Sequence, residues 1–350
     1  MVDYIIVGAG LAGVCFSEFT LNSNKKIVVF ENYSQPSSTV AGGMYNPVVL
    51  KRFTEIWNAQ EQLDIIQEFY PKIEDKLNVK FDFPMSLWRK FSSIEEQNNW
   101  FVAADKPSLK NFLNSKIFFD TINNIDSPFG FGEVLHSGYL DIKTLISNYQ
   151  DYLEFHGLLR RETFEYDLVN FHEEYIDYKG IKAKHIVFSE GFGLHQNPFF
   201  NDLPLDGTKG ELLHIKCSNL KLNKVVKSNI FILPIGNNLY KVGATYDWKS
   251  KTNLPTEEGK AELIEKLNEL ISCKYEIVDH LAGVRPTVRD RRPLVGTHHS
   301  HQNIHVLNGL GTRGVMLGPY LAKSLFENLE NGIPLNKEID INRYYKKRVN

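Results

Sequence analysis

The apolar positions change period along the chain, and each change marks an element. Residues 4–7 form a continuous apolar run, as a buried strand does, and a small-residue turn leads from it into a helical stretch beginning near Leu11. A second run, "KKIVVFE" at 25–31, predicts the next strand. Between 56 and 77 the period turns helical, with Ile56, Leu63, Ile66, Phe69 and Ile73 on one side. Short aromatic strands and turns follow to about Gly132, and 138–157 returns to a helix with Asp141 as its N-cap. Residues 162–193 alternate every second position around a turn at Lys179-Gly180, which predicts an antiparallel meander closing on the apolar strand "HIVFSEG". Segments 206–217 and 229–248 read as strands of a second sheet, and 256–271 as a helix entered at Thr256. Near the end, "NIHVLNGL" predicts a strand, "GLGTRG" a turn, and "VMLGPYLAKSLFENL" a helix that tolerates Pro319 near its first turn.

The first turn is the pattern Gly8, Gly10, Gly13, with Ala9, Leu11 and Ala12 between. Gly8 permits the tight turn, Gly10 lets backbone approach a pyrophosphate, and Gly13 lets the helix pack close. The helix N-terminus offers unpaired N–H groups to the phosphates. Glu31 closes the second strand 23 residues after Gly8, where such a unit places an acid on a ribose 2′-hydroxyl. An acid there disfavours NADP, but the turn alone does not separate FAD from NAD. The rest of the chain does. A small-residue loop, Ala41, Gly42, Gly43 and Met44, lets backbone approach something flat, and Gly191 ends another core strand. Val169, in the meander, is placed at the cofactor as well. A second strand–turn–helix unit carries Gly309, Gly311, Thr312, Arg313, Gly314 and Val315. Its helix N-terminus suits the pyrimidine carbonyl of a flavin. NAD has no such need, so FAD is preferred.

These elements predict an α/β fold, a Rossmann-like FAD-binding domain interleaved with an α+β substrate domain on an antiparallel or mixed sheet. A chain of 350 residues suits about two domains, and no linker divides this one. The expected division puts 1–55, 133–205 and 283–350 in the FAD domain, and 56–132 and 206–282 in the substrate domain.

Composition narrows the partners. Lys plus Arg total 40 against 42 Asp plus Glu, so no global basic excess draws nucleic acid. The short basic tail "YYKKRVN" reads as a solvated end. Cys15, Cys217 and Cys273 are scattered, which fits a reducing cytoplasm. The apolar N-terminus lacks the basic start of a signal peptide, and no apolar window of about 20 residues predicts a membrane span. "THHSHQ" reads as a polar turn, and no metal is expected. "GVRPTVRDRRPLVG" is the exception to the even charge, with four arginines in eight positions.

Taken with "VGAGLAG", "STVAGGMYNP", "TKGELL", "LPIGNNLYKVGATYD" and "GLGTRGV", that segment resembles the FAD-dependent amine oxidase superfamily of D-amino-acid oxidase, glycine oxidase and sarcosine oxidase. The resemblance spans nearly the whole chain. It implies that Arg285 binds the carboxylate of a small amine or amino-acid substrate. A guanidinium fork suits that task. Arg313 faces either flavin or substrate, and Arg289, Arg291 and Arg292 form ion pairs or a solvated turn. Phe231 stands where D-amino-acid oxidases have a tyrosine, and Tyr246 is an alternative from the same hairpin. No cysteine falls where sarcosine oxidases attach flavin, so FAD is expected to be non-covalent. The implied reaction is hydride transfer from a carbon beside nitrogen to flavin, with oxygen or another electron acceptor downstream. Two other readings stay open. "RDRRPLVG" with "GTRG" also resembles the FAD domain of enzymes modifying a tRNA wobble uridine, and a flavin-binding protein without turnover is the third.

Overall fold

The computed structural model describes residues 1–345, and the end of the basic tail, 346–350, lies outside the described residues. Two eight-stranded sheets dominate. At the centre of the first, Val2–Val7 pairs in parallel with Ile27–Phe30 and with Ile181–Phe188. Ile304–Asn308 pairs in parallel with the C-terminal half of Ile181–Phe188, and a hairpin of Val169–Phe171 and Ile176–Tyr178 takes the N-terminal half of the same edge. Parallel strands buried on both faces need apolar runs, and Tyr4–Val7, Ile27–Phe30 and the Ile186–Phe188 end of the third strand carry them, while Ile304–Asn308 is buried throughout although it includes His305. Helices Leu11–Asn22 and Gly314–Asn331 pack together through small residues. A Cβ on Gly318 would lie 3.1 Å from Cys15 Sγ.

The second sheet runs in the order Glu276–Arg285, Thr208–Lys216, Leu239–Gly243, Phe231–Pro234, Val225–Lys227, Leu87–Lys90, Phe131–Val134 and Leu113–Phe118. Helix Glu257–Leu270 covers one face, setting Leu263 and Leu267 against Leu213, Ile215 and Val242. Thr256 caps that helix by accepting from Gly259 N at 3.1 Å, and Asp141 caps Ile142–Phe155 in the same way from Thr144 N at 3.3 Å.

Strands Phe131–Val134 and Glu276–Arg285 run unbroken across the expected divisions at 132/133 and 282/283. Helix Ala59–Leu77 meets the C-terminal helix, where the Tyr70 hydroxyl donates to the Val315 carbonyl at 2.6 Å. Helix Ile94–Ala104 lies in a region read from sequence as strands and turns. Among the described residues, no helix is long and apolar enough to cross a membrane.

Candidate functional site

The first glycine turn is built by close backbone contact. Gly8 has φ +98°, and a Cβ there would stand 2.6 Å from the Ser189 carbonyl oxygen. A Cβ on Gly13 would fall 1.8 Å from the Gly8 carbonyl oxygen, so the helix rests directly on the turn. No side chain caps helix Leu11–Asn22, although Leu11 N–H reaches Ser38 Oγ at 3.3 Å. Glu31 accepts from Ala9 N and from Tyr33 N, both at 2.6 Å. Burial raises its carboxyl above the ordinary value against the pull of those donors.

A cavity of about 500 Å³ runs from this turn to the second sheet. Gly10, Ala12 and Glu31 line one end, the Ala41–Met44 loop, Gly191 and Gly311 the middle, and Phe231, Tyr246 and Arg285 the other. Thr312, Gly314 and Val315 border it at the start of the C-terminal helix, which also has no side-chain cap. Ser189 Oγ is buried on the wall without a hydrogen-bond partner. An orphaned buried hydroxyl, two uncapped helix starts and a terminal strand acid suit the phosphates, ribose and ring carbonyls of FAD. Gly10, Glu31, Ser189 and the backbone at Gly311–Val315 would hold it.

Not every residue placed at the cofactor from sequence lines the cavity. Ala9 and Gly13 form the inner wall of the turn. Gly309, at φ +77°, packs on Val288. Arg313 precedes the second helix, and its Nη1 reaches the Asn46 carbonyl at 3.4 Å. Val169 does not line the cavity. The 3-10 turn Tyr166–Leu168 carries the chain past the cavity before Val169 pairs with Tyr178, so Phe164 and Tyr166 line the wall instead. Sequence reading missed Glu190, a buried carboxyl on that wall. It accepts from the Tyr166 hydroxyl at 2.5 Å and Asn197 Nδ2 at 2.8 Å, and burial pushes it up to about 7. The only signal was an acid directly before the strand-end Gly191.

At the far end, Arg285 closes the strand Glu276–Arg285. A Cβ on Gly210 would lie 1.8 Å from its Nη2, so the guanidinium occupies a notch that only glycine leaves. Nη1 donates to the carbonyls of Lys209 at 3.2 Å and Thr245 at 3.3 Å, and the Tyr246 ring lies 4.7 Å away. Among the described residues no carboxylate pairs with Arg285 or with Arg313, and burial lowers both guanidinium groups from their ordinary values. Two of the other three arginines of the segment find acids. Arg289 reaches Asp206 at 3.3 Å and Arg292 reaches Glu338 at 3.0 Å, while Arg291 stacks 4.8 Å from the Trp248 ring. Asp290 pairs with Arg343 at 3.0 Å, not with its flanking arginine side chains. Phe231 presses on the flat loop, with its Cζ 2.9 Å from where a Gly42 Cβ would be.

Comparison with known proteins agrees with this geometry. The bifunctional protein MnmC of tRNA 5-methylaminomethyl-2-thiouridine biosynthesis from Marinobacter nauticus is 20% identical over 93% of the chain and 55% of its own length. Its counterpart from Shewanella sediminis is 27% identical over 47% of the chain, so the chain spans between 29% and 55% of these two relatives. Glycine oxidase of Bacillus subtilis is 21% identical over 97% of the chain and 94% of its length. The crystal structure of glycine oxidase from Geobacillus kaustophilus superposes with a TM-score of 0.80 at 16% identity, covering 98% of this chain and 97% of that one. The family described as FAD dependent oxidoreductase matches residues 3–327, and the chain belongs to that family.

Proposed function

We propose that the chain oxidises the C–N bond of a small amino acid or secondary amine bearing a carboxylate. The product is an imine, which water cleaves to a carbonyl compound and a free amine. The observation that carries this reading is Arg285, a half-buried guanidinium with no acid partner among the described residues, on the wall of the FAD cavity. Its fork binds the substrate carboxylate in a bidentate pair and so fixes which carbon faces the cofactor. Tyr246 packs on the guanidinium, and Arg313 adds a second unpaired positive charge beside the same tyrosine. Phe231 and the Ala41–Met44 loop confine the substrate and keep water out. Bound FAD supplies the hydride acceptor. No general base is needed when the amine arrives with its lone pair free.

Relatives named for glycine oxidase and iminodiacetate oxidase activity support a small amino-carboxylate substrate. A second reading, an RNA-borne secondary amine, draws support from Lys227 and Lys266, which also line the cavity. Anaerobic titration of the flavin-loaded protein with amino acids and N-alkyl amino acids tests the first. Bleaching of the flavin band by one of them is expected, and no response across the panel would sink it.

A further inference from the structure

One row of register partners crosses the second sheet. Leu212 pairs with Gly243, Gly243 with Phe231, Phe231 with Lys227, and Lys227 with Arg89. Directly paired residues share a face, so this row points to one side, and Leu212, Phe231 and Lys227 all line the cavity. Neighbouring strands stand about 4.8 Å apart, which puts Lys227 roughly 10 Å along the row from Gly243.

Lys227 has no carboxylate partner among the described residues. Its Nζ donates to the Asn229 carbonyl at 3.3 Å. The cations beside it are already paired. Arg89 holds Glu96 at 2.6 Å and the Ser228 carbonyl at 2.7 Å, and Lys266 holds Glu262 at 2.5 Å. Among the cations of this row and its neighbours, Lys227 therefore keeps a positive charge that no carboxylate among the described residues balances. Burial, followed by repulsion from Arg89 and Lys266, lowers the Lys227 ammonium to about 8, a strain that a bound anion would relieve.

We propose that Lys227 forms a second anion subsite, which binds a phosphate group of the substrate while Arg285 holds a carboxylate. The inference extends the carboxylate reading of the same cavity. A planar carboxylate matches a planar fork, as at Arg285. A lone ammonium with three rotatable donors meets a tetrahedral phosphate as a point charge. The phosphate belongs to a small phosphorylated amine or to the backbone of an RNA that carries the reacting amine.

The test is calorimetric titration of flavin-loaded protein with inorganic phosphate, comparing the unaltered chain, Lys227→Arg and Lys227→Met. Millimolar binding is expected in the first two, and binding at least ten-fold weaker in the third. The flavin spectrum reports that each variant is folded. Glycolate, a carboxylate without phosphate, should bind all three alike. No phosphate binding, or equal binding in the unaltered chain and Lys227→Met, overturns the subsite. Lys227-dependent phosphate binding without glycolate binding would sink the carboxylate reading and leave the subsite standing. O-phosphoserine and an anticodon stem-loop RNA then separate the sources, because only the true class should bind more tightly than inorganic phosphate in a Lys227-dependent way.

Discussion

The two glycine turns use the same residue for opposite ends. In the first, protein fills the space the missing side chains leave, with Ser189 backbone over Gly8 and Gly8 backbone over Gly13. In the second, Gly311 has φ +56° and nothing within 4 Å of where its Cβ would be. Gly8 and Gly13 are needed for closeness, as Gly309 is where it packs on Val288, whereas Gly311 is needed for backbone conformation beside an open cavity. The one is a packed joint and the other a clearance.

Substitution at Gly13 should break this contrast hardest. Gly13→Ala puts a methyl 1.8 Å from a carbonyl oxygen that no rotamer change can move. Such overpacking costs about 1–3 kcal/mol or more, so most flavin should be lost. The flavin-to-protein absorbance ratio after gel filtration reads this, and normal loading would refute the packed-joint description. Arg285→Met should come next and act differently. Flavin loading should persist while kcat/KM for a carboxylate-bearing amine falls about 100-fold or more, the scale of truncating a buried charge partner. An equal fall for an amine without a carboxylate would contradict the assignment.

The Glu190 carboxyl gives a smaller effect with a definite sign. Its folded value is raised to about 7 from 4.5, so the folded chain binds the extra proton between those values. Stability from this group is present at low pH and falls as pH rises from about 4.5 through 7, then levels. Thermal midpoints of the flavin-free protein should follow that course, and Glu190→Gln should flatten it. An unchanged slope in the variant would remove Glu190 as the cause. Gly311→Ala should do least. It meets no atom and carries only a left-handed backbone penalty of about 1–2 kcal/mol, so flavin should stay bound with a slightly lower midpoint.

Much of the fold was legible because its signals are local. Apolar runs marked the parallel strands, and Thr256 and Asp141 marked the helices they cap. Helix Ile94–Ala104 escaped because only Trp100, Ala103 and Ala104 of it are buried, too short a stripe to show a period. Its start was still written in the chain, since Ser93 accepts from Glu96 N three residues on at 3.2 Å. The site was less legible than the fold. Arg285 stood out by its neighbours in sequence, but its lack of an acid partner depends on carbonyls 76 and 40 residues away. Lys227 reads as an ordinary strand-end lysine until sheet register sets it between Phe231 and Arg89. Alternation along 162–193 does not show the 3-10 turn Tyr166–Leu168, which carries the chain out of the cavity lining before Val169.

The notch at Gly210 bears on how such a protein could change its diet. Any side chain at 210 meets the guanidinium of Arg285 and must displace it. A change at 210 therefore moves Arg285 with it, so the two sites should evolve as one character.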